Sequence, residues 1–172
     1  MPKGVVYVGI SIDGYLARAD HSLDWLPDPP EGEDFGWAPF IASIDHMVMG
    51  RGTFEVFRTF GAWPYGDIPL TVLSRSQVDV PESLAPRVTL SDLAPRDLFA
   101  TLEGRIYVDG GRLVRSFLAE DLIDEMILTR VPVTLGGGIP LFGETGMEAR
   151  WTLSAVEPLG EGIVRESYLR AR

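Results

Sequence analysis

Three short segments of the 172-residue chain place glycine or serine beside arginine just where an apolar run ends. The first is Val48-Met49-Gly50-Arg51-Gly52-Thr53-Phe54-Glu55. Its two glycines allow close approach of a ligand to the backbone, Thr53 is placed to cap a following helix, and Arg51 can pair with an anion there. A capped helix start carrying a surface arginine is the plainer reading of the same residues. The second is Ile106-Tyr107-Val108-Asp109-Gly110-Gly111-Arg112-Leu113, a strand, a glycine pair and a helix. Open α/β sheets bind nucleotides at such strand ends, although the full GxGxxG pattern is absent and Asp109 would oppose a phosphate set directly beside it. The third is Leu73-Ser74-Arg75-Ser76, where a hydroxyl beside a guanidinium suits a phosphate ester and equally suits an ordinary turn. If all three strand ends lie along one edge of one sheet, they suit an extended ligand with several phosphates.

Other residue types exclude chemistry. There is no cysteine, hence no thiolate nucleophile, iron–sulfur ligand set or disulfide. The two histidines, His21 and His46, are too few and too far apart in sequence for a metal site, and neither sits by a nucleophile motif. Gly136-Gly137-Gly138 has no basic neighbour, which favours a chain reversal or a close backbone approach over phosphate binding. With 15 Lys+Arg against 25 Asp+Glu the formal net charge is −10, which argues against nucleic acid and anionic membrane surfaces as partners. No apolar run approaches membrane-spanning length. The N-terminal Met1-Pro2-Lys3-Gly4 leads straight into an apolar run with no signal-peptide pattern, so a cytoplasmic location is expected.

The elements that must position these residues are short. At 172 residues and 45% hydrophobic composition the chain is expected to form one domain over residues 1–172. Surface scaling for this mass gives roughly 8,300 Å² when folded, with about 70% of the unfolded chain's surface buried. Gly4–Ile12, His46–Met49, Leu70–Leu73, Arg105–Val108 and Met126–Val131 are strand-length and apolar nearly throughout, as strands covered on both faces are. Helices are expected at Phe40–Ile44, Thr53–Phe60, Pro95–Leu102 and Leu113–Leu118, and a strand pair over Trp151–Arg172 turning near Gly160-Glu161-Gly162. The alternation predicts an α/β fold, a mostly parallel central sheet with an antiparallel C-terminal edge and flanking helices. Two proline-rich stretches, Ala19–Pro39 and Gly61–Pro69, read as loops within the domain, the longer one as cover for a site.

Taken together, Met49-Gly50-Arg51-x-Thr53-Phe54-Glu55, Leu73-Ser74-Arg75, Gly110-Gly111-Arg112 and Leu128-Thr129 stand in the order and spacing of dihydrofolate reductases. The opening Ser11-Ile12-Asp13-Gly14-Tyr15-Leu16-Ala17, Leu122-Ile123-Asp124-Glu125 and Leu135-Gly136-Gly137-Gly138-Ile139-Pro140-Leu141-Phe142 resemble another branch of that superfamily. That branch is the reductase domain of riboflavin biosynthesis and its stand-alone bacterial relatives. Each motif is short, but they are collinear over nearly the whole chain.

The resemblance implies a dihydrofolate-reductase-like fold, bound NADPH, and hydride transfer to a pterin-, pyrimidine- or related heterocyclic or carbonyl substrate. It implies that Gly50, Arg51 and Thr53 hold the cofactor's phosphates, and that Ser74 and Arg75 meet the 2′-phosphate. Gly110, Gly111, Arg112 and Leu113 would lie along the pyrophosphate and nicotinamide side, with Leu16 and Ala17 flanking the nicotinamide. Asp109 departs from the uncharged residue usual before the glycine pair. Asp34, 16 residues before Gly50 and followed by Trp37, matches the spacing of the reductases' proton-donating acid. It is also one of several acids in Glu31-Gly32-Glu33-Asp34, as a solvated loop would have. Trp25 could wall the substrate pocket by stacking, or pack a lid. Relatives of this branch pair through the sheet edge, so a homodimer is expected. The alternative to an enzyme is a nucleotide- or pterin-binding module of the same fold without turnover.

Overall fold

The computed structural model describes residues 1–172. In chain order the elements are β1 (Lys3–Ser11), β2 (Tyr15–Ala17), α1 (Trp37–Ala42), β3 (His46–Gly50), α2 (Arg51–Phe57), β4 (Leu70–Leu73), β5 (Val88–Ser91) and α3 (Pro95–Ala100). They continue with β6 (Arg105–Asp109), α4 (Gly111–Ala119), β7 (Glu125–Val131), β8 (Ile139–Pro140), β9 (Trp151–Gly160) and β10 (Ile163–Arg170). Eight strands form one sheet in the order β5-β4-β3-β6-β1-β7-β10-β9. The first six run parallel, and β10 joins β7 and β9 antiparallel, as the alternation in the sequence predicts.

The apolar strands feed two cores because successive side chains point to opposite faces of the sheet. On one face Val6 and Ile10 of β1 and Ile106 and Val108 of β6 pack with Val114 and Phe117 of α4. On the other, Val5, Tyr107, Met47 and Met49 pack with Phe40 of α1 and Phe54 of α2. Phe54 and Phe117 are fully buried, each contributing about 1.5–3 kcal/mol of transfer free energy. His46 serves the sheet, its Nε2 lying 2.9 Å from Thr71 Oγ1 across β3 and β4.

Four details depart from the sequence expectation. β5 is a half-exposed edge strand of 4 residues with no continuous apolar run, and β2 with β8, too short to leave a periodic signal, forms a separate two-stranded sheet. Helix α2 begins at Arg51, with Gly50 as N-cap and no side-chain cap, so Thr53 lies inside the first turn instead of capping it. The accessible surface, 9390 Å², exceeds the roughly 8,300 Å² expected for the mass. Long β9, largely exposed at the sheet edge, contributes to that surface.

Candidate functional site

Strands β3, β4, β5 and β6 end side by side, and a groove of about 900 Å³ lies across their carboxyl ends. Nine of the eleven residues expected around a dinucleotide line it. Gly50, Arg51 and Thr53 come from the β3–α2 junction, Ser74 and Arg75 from the end of β4, and Gly110, Gly111, Arg112 and Leu113 from the β6–α4 junction. The three segments singled out in the sequence therefore do meet along one sheet edge. Arg51, Arg75 and Arg112 are exposed; Arg51 has Glu55 one helical turn away at 3.5 Å, and neither Arg75 nor Arg112 forms an ion pair. Ser74 Oγ closes a local turn with Ser76, donating to its carbonyl at 2.8 Å and accepting from its N–H. Asp92 is the groove's one acid. The donor set fits a ligand with several phosphates.

The glycine pair sets how closely that groove can be approached. Gly110 has φ +104°, and a β-carbon there would overlap the Thr53 hydroxyl. A β-carbon on Gly111 would stand 3.0 Å from the Pro140 carbonyl and 3.1 Å from Leu16 Cδ1. Pro140 and Leu16 belong to the small β8–β2 sheet, which is tied down by Asp13. Its carboxylate accepts the Leu135 and Gly136 N–H groups at 3.0 and 2.8 Å, and the Ser11 hydroxyl at 2.6 Å. Gly138, at φ +135°, lets the chain pass against the Ala17 carbonyl. Of the Gly136–Gly138 run, Gly138 alone makes a close backbone approach, one of the two structural roles expected of it.

Leu16 and Ala17 line a second cavity, of about 310 Å³, which shares Thr53 and His21 with the groove. Its walls are Tyr7, Trp37, Tyr65 and Tyr107, with Phe57 and Leu26 beside them. Asp109 lies in this cavity, 8% exposed, and accepts the Tyr65 hydroxyl at 3.1 Å. Burial raises the Asp109 carboxyl to about 6, against the smaller lowering effect of Tyr65. The opposition to phosphate expected from Asp109 is resolved by strand alternation: the acid turns into the aromatic cavity with Tyr107, two residues earlier on the same face of β6.

Asp34 and Trp25 line neither cavity. Asp34 precedes α1 instead of lying on it, and its two oxygens accept the N–H groups of Gly36 and Ala38 at 2.8 and 2.7 Å. Those bonds hold its exposed carboxyl below the usual range, the opposite of what a proton donor needs. The spacing to Gly50 marks the start of a helix, and the helix brings Trp37, not the acid, to the cavity. Trp25 is half-buried with its indole N–H enclosed, and its neighbours Leu23 and Leu26 form the wall instead. The sequence reading missed Tyr7, Tyr65, Tyr107 and Asp109 as a set. The period-two spacing of Tyr107 and Asp109 at a strand's carboxyl end was the available signal; Tyr65, in a loop, offered none.

No group of three or more His, Cys, Asp or Glu side chains is placed to hold a metal ion, and no helix is long and apolar enough to cross a membrane.

A mostly parallel α/β sheet with phosphate-sized space at its carboxyl edge defines a class, and comparison with known proteins gives the family. The RibD C-terminal domain family matches residues 2–165, and the chain belongs to that family. It is 37% identical to YwjB of Bacillus subtilis (strain 168), whose function is uncharacterized, over 98% of each chain. It is 36% identical to a Shewanella sp. PV-4 protein assigned provisionally to riboflavin biosynthesis, with a TM-score of 0.92 over 99% of each chain. A diaminohydroxyphosphoribosylaminopyrimidine deaminase/5-amino-6-(5-phosphoribosylamino)uracil reductase of Thermotoga maritima shares the fold, at TM-score 0.72 and 12% identity. That match covers 99% of this chain and 57% of that one.

Proposed function

We propose that this chain is an NADPH-dependent reductase that delivers hydride to a small heterocyclic or carbonyl substrate. The observation that carries the reading is the junction of two unlike spaces, a groove with three exposed arginines and an aromatic cavity holding a buried acid. Bound NADPH would supply the hydride, two electrons with it, to the carbon of a C=N or C=O bond. Arg51 and Arg112 would neutralise the pyrophosphate, with the backbone close at Gly110 and Gly111. Arg75 beside Ser74 would meet the 2′-phosphate, and Leu16 and Ala17 would exclude water beside the nicotinamide.

Asp109 takes the role of proton donor in place of Asp34. Tyr65 donates to Oδ2 of Asp109, and the protonated carboxyl would pass its proton to the substrate's nitrogen or oxygen. Its raised pKa keeps a protonated fraction near neutral pH. We further propose that two copies pair along β9 and β10, where Leu153 and Val156 are 52% and 54% exposed; sedimentation of the wild type against Val156→Glu tests this.

The test of the main reading is a titration with NADPH and then NADH, followed by tryptophan quenching. NADPH binding well ahead of NADH supports the groove assignment, and no response to either removes the reductase. Binding of NADPH without turnover of any pterin, pyrimidine or imine would leave a binding module.

A further inference from the structure

The aromatic cavity carries a charge rule that the groove does not. Sixteen residues line it, and none is lysine or arginine; its one basic side chain, exposed His21, sits where the cavity meets the groove. Cations on the segments that border it are already engaged. Arg18, next to Ala17, is paired with Asp24 at 2.6 Å, and Arg58, next to Phe57, with Asp79 at 2.7 Å. Arg165 is paired with Glu157 and donates to the Phe35 carbonyl, which also accepts the Tyr7 hydroxyl at 2.7 Å. The unpaired guanidiniums that a substrate tail could reach, Arg75 and Arg112, line the groove that a dinucleotide would fill.

What the cavity does offer is negative. Trp37 has its ring centroid 5.6 Å from Tyr7, 5.8 Å from Tyr65 and 6.2 Å from Tyr107, each pair close to edge-to-face. Aromatic faces attract cations and disfavour anions. Asp109, which has no arginine or lysine partner, adds a carboxylate at the same place. A volume of about 310 Å³ sits at the small end of the 300–1,000 Å³ typical of ligand pockets and suits one or two rings.

We infer that the cavity selects a neutral or protonated planar ring that carries no phosphate, and rejects phosphorylated substrates. Describing that ring as the substrate rests on the reductase reading above. The T. maritima enzyme is named for a phosphoribosylamino substrate; the charge of this cavity separates the present chain from that substrate class.

Three single-ring probes that differ chiefly in charge test the rule by calorimetric titration of the whole chain: benzamidine, benzamide and phenyl phosphate. Benzamidine is expected to bind about tenfold tighter than benzamide or better, and phenyl phosphate about tenfold weaker than benzamide or not at all. In Asp109→Asn the span between the first and the last is expected to shrink by about tenfold or more. Phenyl phosphate that binds as tightly as benzamide and is displaced by benzamidine, hence from the cavity and not from the arginine-lined groove, overturns the inference, as does failure of benzamidine to bind at millimolar concentration. The wild-type order decides the matter even if the variant does not fold. Adding NADPH in parallel runs reports on the other claim separately: a chain that ranks the rings as stated but ignores NADPH keeps the charge rule and loses the reductase.

Discussion

The groove and the aromatic cavity touch at Thr53 and His21, yet they are built on opposite principles. The groove is polar, assembled from strand ends whose arginines project into solvent. The cavity is walled by rings from β1, α1, the loop after α2 and β6, and its one carboxylate is nearly buried. Exposed charge can bind a polyanion because each arginine keeps its hydration until the ligand arrives. A buried acid gains a shifted pKa because nothing hydrates it. The same strand, β6, serves both, since Asp109 turns into the cavity and Gly110 opens onto the groove.

Substitutions that affect one region and spare the other test this division most sharply. The largest effect is expected from Asp109→Asn, with turnover falling about 100-fold or more, as for loss of a general acid. NADPH affinity, read by fluorescence titration, should stay within about threefold. A comparable loss in both quantities would erase the distinction between the regions. Arg75→Ala is the converse change: NADPH should bind about 10–100-fold more weakly, as for a lost charged hydrogen bond, with NADH affinity little altered.

A thermodynamic contrast comes next. The folded Asp109 carboxyl lies near 6, above its ordinary 3.8. Its contribution to stability is therefore complete below about pH 4 and disappears as pH rises through about 6. Asp109→Asn should gain about 2.4 kcal/mol relative to the wild type between pH 4 and pH 8, measured by urea unfolding at both values. A constant difference across that range would place the acid in water. The smallest effect belongs to Asp34→Asn, which should change turnover by less than about twofold, because that carboxylate serves only the start of α1.

The groove was legible in the sequence because its residues sit where apolar runs stop, and strand ends can be read from such runs. Arg51, Arg75 and Arg112 needed only a parallel sheet to bring them together. The cavity was far less legible. Trp37 was noticed for its distance from Gly50, but that spacing was credited to Asp34; it marks the beginning of a helix, and local hydrogen bonds claim the acid. Tyr65 follows Pro64 in a loop and reaches Asp109 across 44 positions, a contact that only tertiary packing creates. Asp109 itself was visible as a departure, yet its meaning depended on which face of β6 it occupies. β2 and β8 escaped because two or three residues do not complete a pattern, and in the four of β5 apolar and polar residues alternate, without the apolar run that marks Leu70–Leu73.

The partition formed by Thr53 has a consequence for how occupants sense one another. A molecule in the groove and a molecule in the cavity would each rest against the same side chain, whose hydroxyl already leaves no room for a β-carbon at Gly110. Whatever factor one occupant imposes on the affinity of the other is returned in equal measure, since binding free energies around a closed cycle must agree. A substitution at residue 53 would then change the two affinities, each measured with the other site filled, by one shared factor.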